Sequence, residues 1–156
     1  MERLSLPVSR TVRENVAVLL TYAFSRAPLE ALVTARLEGE FQQFRETAFV
    51  LAAQRAERAC LELAIMLRYL DDEGSISSTY GHSDVKFGVL VGSDGTTGPL
   101  TLRDVANKMI HARAFSWDTM RPNQPTLICQ PRDNERWLKA SIDVVALSVV
   151  CGSLLE

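Results

Sequence analysis

A chain of 156 residues, 47% hydrophobic and 23% charged with a formal charge of −2, has the length of one domain with its own core and a composition that excludes a disordered tail. The apolar runs Val16 to Leu20 and Val144 to Val150 fall far short of the roughly 20 residues that span a bilayer. The N-terminal MERLSLPVSR lacks the basic region, apolar stretch and small-residue cleavage site of a secretory signal, so the expected location is cytoplasmic.

Thr11 and Glu14 have the spacing of a capping box, and Val12, Val16, Leu19, Leu20, Ala23 and Phe24 then keep a helical period, predicting a first helix that ends before Pro28. A second helical stretch from Leu29 is expected to bend near Gly39. A long helix from about Phe41 to Leu70 follows, with Phe41, Phe44, Ala48, Leu51, Ala52, Ala59, Leu63, Met66, Leu67 and Leu70 in one apolar stripe. DDEGSISSTYGHSD, Asp71 to Asp84, is a polar break. FGVLV reads as a short strand before GSDGTTGP, a Gly-rich loop without the Gly-Lys-Ser/Thr ending of a P-loop or the spacing of a calcium loop, hence a surface connection.

Thr101 and Asp104 form a second capping box, opening a helix whose buried face is Leu102, Val105, Ala106, Met109 and Ile110. Asp104 and Lys108, four apart, read as a surface ion pair on it. Strand-like runs follow around Phe115 to Trp117, Thr126 to Gln130 and Trp137 to Ser141, the last two joined by the turn formers PRDNE. The tail IDVVALSVVCGSLLE reads as a strand passing into a helix from about Asp143 to Leu155. That helix is apolar nearly all round and is expected to be buried in a bundle or against a partner subunit. The predicted fold is mainly α: one domain over residues 1–156, a four-to-five-helix up-down bundle with a small antiparallel β-hairpin insertion, about 115–141, before the last helix.

Cys60, Cys129 and Cys151 are widely spaced in apolar surroundings, as buried free thiols of a reducing compartment would be. With two histidines, His82 and His111, and no closely paired cysteines, neither a metal nor a cofactor is expected. Residues 103–139 carry seven basic against four acidic side chains, a mild local excess that reads first as a solvated face.

One constellation has the look of chemistry. Arg103, Asn107 and His111 stand at i, i+4 and i+8 and share an arc of about 80° at the edge of the apolar face. A histidine there can be tuned as an acid or base, and an arginine can hold a phosphate. The same positions also suit helix capping and support of the following hairpin.

A long bundle helix, a helix carrying Asn-x-x-x-His as NKMIH, a short β insertion and a last apolar helix together resemble the HEPN group of small α-helical proteins. That resemblance implies an RNA-directed protein of a bacterial defence or toxin–antitoxin system, active members being metal-independent ribonucleases that join two Arg-x4–6-His motifs across a homodimer. His111 matches the motif histidine and Asn107 the polar residue after the arginine, but Ala106 stands where the arginine belongs. Arg103, one turn earlier, is the substitute. In that reading His111 moves the proton, Arg103 stabilises the phosphate and Asn107 orients one of them. The alternative is a non-catalytic homodimeric interaction module, binding a protein partner such as an antitoxin. A Ser116, His111, Asp118 hydrolase is a third reading, without a nucleophile elbow to support it.

Overall fold

The structure, a computed structural model, describes residues 6–36, 42–74, 76, 86–132 and 136–154. Two long helices come first. Helix α1 (Leu6–Arg36) lies against α3 (Ala52–Gly74), and between them stand a short α2 (Gln42–Arg45) and a π-helical turn (Glu46–Leu51). Then follow β1 (Gly88–Gly92), β2 (Thr97–Pro99), α4 (Leu102–Ile110), β3 (Ala112–Asp118), β4 (Thr126–Pro131), β5 (Trp137–Asp143) and α5 (Val144–Ser153).

The strands form one antiparallel sheet in the order β2-β1-β5-β4-β3. This corrects the predicted helical bundle with a hairpin insertion: the fold is mixed α/β, its helices packed with one five-stranded antiparallel sheet. The three strand-like runs were read as a local insertion, but β5 pairs on its free side with β1, Leu90 facing Ala140, across some fifty residues of chain. Local periodicity carries no record of such a pairing. Gly88 makes the close approach possible. It sits at φ +140°, and a Cβ there would lie 1.8 Å from the Ser141 carbonyl oxygen, so only glycine is accommodated. The Gly-rich loop is the β1–β2 turn, closed by Gly92 N–H to the Thr96 carbonyl at 2.8 Å. Asp94 accepts from the Thr96 hydroxyl and backbone N–H, which holds its carboxyl below the usual range.

Alternation along the strands sends Leu127, Cys129, Ala140 and Ile142 to one face, where they join Leu63, Leu67, Val105, Met109, Leu147 and Val150 in the core. Burial pushes the Cys129 and Cys151 thiols up to about 12, and Cys60 is raised too. On strands β1 and β5, Val89 and Leu138 stay exposed.

The helices depart from expectation in four places. Helix α1 begins at Leu6, not Thr11, and runs through Pro28 to Arg36. Pro28 withholds the N–H that would meet the Phe24 carbonyl, but the ion pair Arg26–Glu30 at 3.0 Å straddles the gap. The continuous stripe predicted from Phe41 is broken at the π turn, whose extra residue per turn rotates the register. Phe44 and Leu51 are consequently exposed, and the buried stripe of α3 starts at Ala56. Helix α3 also runs past the predicted polar break at Asp71 to Gly74; His82 and most of the remaining break lie outside the described residues. Helix α5 is N-capped by Asp143, whose side chain accepts from the Val145 and Ala146 N–H groups, and it is not buried all round: Val149 stays 62% exposed.

In length and composition α1 could cross a bilayer, with a mean hydropathy of 1.4 over its most apolar 18 residues, of which 17% are buried. The apolar run Val16 to Leu20 missed this because the polar residues Thr21 and Ser25 interrupt the apolar sequence that follows it.

Candidate functional site

The capping box forms as its spacing requires. The Thr101 hydroxyl accepts from the Asp104 N–H, and the Asp104 carboxylate accepts from the Thr101 N–H. Leu102, Val105, Ala106 and Met109 then face the core, which fixes the rotation of α4 and turns Arg103 and Asn107 toward the last turns of α3.

Both are taken up there. Arg103 donates to Asp71 Oδ2 at 2.5 Å and to Asp72 Oδ1 at 3.2 Å, the former carboxylate being almost fully buried. The hydrogen bond to Asp71, more than any other contact, raises the Arg103 pKa further, so its charge is permanent. Arg68 donates to Asn107 Oδ1 and stands 3.8 Å from Asp72. Two arginines and two aspartates thus neutralise one another around Asn107, forming a polar latch between α3 and α4. An incoming phosphate would meet an Arg103 already occupied by two carboxylates.

His111 stands apart from the latch. It is the C-cap of α4, its backbone N–H reaching the Asn107 carbonyl at 3.0 Å, and its exposed ring makes no hydrogen bond or ion pair among the described residues. The structure therefore brings Arg103 and Asn107 together through α3 and leaves His111 outside. Ala106 is 1% exposed and faces the core, so an arginine at that place would have to be buried. The expected Asp104–Lys108 pair is absent: Asp104 serves the cap, and Lys108 lies over the Trp137 ring at 4.7 Å. Trp117 packs edge-on against Tyr22 at 5.0 Å, a core-edge role. Among the described residues no three His, Cys, Asp or Glu side chains converge as a metal set.

Two features escaped sequence reasoning. A cleft of about 540 Å³ between α1 and α3 is lined by Glu14, Asn15, Val18, Arg55, Arg58 and Glu62 among others. Glu14 is held by Arg10 at 2.7 Å and Glu62 by Arg58 at 3.0 Å, so most of its charge is internally matched. Asn15, 6% exposed, keeps an amide nitrogen without an acceptor among the described residues; its position three after Val12 and four before Leu19, within the apolar stripe, was the available signal. The second feature is the outer face of α3. There Leu61, Ile65 and Tyr69, successive at i, i+4 and i+8, are 38, 53 and 51% exposed.

Compared with models of known protein families, with curated proteins and with solved structures, the chain matches none.

Proposed function

We propose that this chain is a non-catalytic protein-interaction module, in which the sheet and α4 form a rigid body and the outer sides of α1 and α3 are the working surface. The observation that carries the reading is the disposition of apolar area. Large side chains exposed on the two long helices include Phe24, Leu32, Leu61, Ile65 and Tyr69, and a contiguous apolar face on a helix marks a surface that is covered in use. Buried thiols and the lack of any disulfide fit the reducing cytoplasm as the place of action.

The RNA-directed reading stands second. It rested on a helical bundle, replaced by a mixed α/β fold, and on a polar row of which Arg103 and Asn107 are engaged elsewhere. The specific observation left in its favour is the exposed, unengaged ring of His111. The deciding experiment incubates wild type and His111→Ala with total RNA in chelator and resolves the products on a gel. The module reading expects intact RNA with both proteins. Cleavage by wild type that is lost in His111→Ala would overturn it and restore the ribonuclease. Sedimentation with lipid vesicles is the companion control: recovery of the protein with the lipid would reassign the apolar surface of α1 to a membrane.

A further inference from the structure

Two cavities meet between α1 and the segment that runs from the π turn into α3. The first is the cleft of about 540 Å³ that holds Glu14, Asn15, Arg58 and Glu62. A second, of about 390 Å³, shares Val18 and Arg55 with it as walls and is mostly apolar, with Ala17, Tyr22, Leu29, Ala48 and Ala52 around it. Small side chains on both sides, Ala17 on α1 and Ala48 and Ala52 on the other segment, leave this space. The π turn at Glu46–Leu51 sets its own residues on both cavities, Leu51 on the first and Ala48 on the second.

The polar cavity has one charge too many and one hydrogen bond too few. Glu14 is matched by Arg10 and Glu62 by Arg58. Arg55, on the wall common to both cavities, is exposed and makes no ion pair or hydrogen bond among the described residues. Asn15 is 6% exposed, and its amide nitrogen is a buried donor without an acceptor among the described residues. Such a donor costs stability until an acceptor reaches it, and the broad χ2 of an asparagine lets that nitrogen turn to the cleft that the residue lines. Both groups ask for the same partner, an anionic oxygen, and a carboxylate presents two. The Glu14 and Glu62 carboxylates in the same wall disfavour a dianion, such as a phosphate monoester, and leave place for a single negative charge.

We propose that the joined cavities bind a small monocarboxylate with an apolar body, Arg55 and Asn15 holding the carboxylate and the second cavity taking the hydrocarbon against Ala17, Val18, Tyr22 and Leu29. The inference is independent of the interaction-module reading. Both cavities have the size of small-molecule sites, which run from about 300 to about 1,000 Å³. Apolar area buried in the second cavity supplies most of the affinity, and the charge of Arg55 selects the sign of the head. The ligand touches α1 on one side and the π turn with the start of α3 on the other, so its binding ties these segments together.

The test titrates octanoate into the full chain by calorimetry at about pH 7, where the acid is ionised. Acetate supplies the head without the tail, octanol the tail without the charge, and octyl phosphate a head with more charge. Octanoate is expected to bind with a Kd of about 1 mM or lower, and each of the other three about tenfold more weakly or worse. Arg55→Gln, at an exposed position that leaves folding intact, should weaken octanoate about tenfold or more, and Arg55→Lys should keep part of the affinity. Asn15→Leu should weaken it too while raising the urea midpoint of the free chain, a pair of effects that a purely structural asparagine would not give. Octanol binding as tightly as octanoate, or octyl phosphate more tightly, overturns the carboxylate head. An octanoate affinity unchanged in Arg55→Gln or in Asn15→Leu overturns the site, and no octanoate binding up to about 10 mM overturns the proposal outright. The module reading is decided separately by the RNA experiment.

Discussion

On α4 the polar side chains are spent within the chain, Arg103 on Asp71 and Asp72 and Asn107 on Arg68, whereas on the outer face of α3 Leu61, Ile65 and Tyr69 keep 38, 53 and 51% of their surface in water. A row of Arg, Asn and His resembles an active site because the same groups that bind and move protons also bind one another. What separates the cases is whether the donors still have free valences once the chain is folded. An exposed apolar ridge is the converse: unremarkable as residue types, it becomes informative only when the fold leaves it uncovered.

The largest expected effect is on the spent side. Asp71→Ala removes an almost fully buried carboxylate that accepts a charge-assisted hydrogen bond, and should lower unfolding free energy by about 2 kcal/mol in urea denaturation. An effect within error would mean that the latch is ornamental and Arg103 is available for a ligand. Next in size is Asn107→Ala, which removes the acceptor of Arg68 and should lower the unfolding free energy by about 1 kcal/mol in the same experiment. Ile65→Asp probes the other region: Ile65 is 53% exposed, so the urea midpoint should stay unchanged, and a clear drop would mean that the α3 ridge belongs to the core.

Legibility followed range. The α4 capping box, its inward face and the passage from β5 into the last helix were readable from neighbours a few residues apart. The strand runs at Thr126 and Trp137 were readable as well, but β1 against β5 was not, since that match is between Leu90 and Ala140 and is made by the fold. Pro28 misled because α1 tolerates one missing hydrogen bond where the Arg26–Glu30 pair spans it. The π turn at Glu46–Leu51 has no signature in apolar spacing, so Phe44 and Leu51 were assigned to a core they do not enter. His111 stands beyond α4 as its C-cap, whereas Arg103 and Asn107 lie on the side of the helix toward α3. Their partners Arg68 and Asp71 were hidden because they lie more than thirty residues earlier, where the sequence showed only the end of a long helix.

The smallest expected effect falls on His111. Its ring is exposed and carries no hydrogen bond among the described residues, and its capping contact is made by the backbone N–H, which any residue but proline supplies. His111→Ala should therefore change stability by no more than about 0.5 kcal/mol. A larger loss would require a packing contact that an exposed ring does not make. If stability does not respond, the ring is a surface group whose only remaining use is toward a molecule from outside. The RNA gel then measures that use without a folding defect to confuse it.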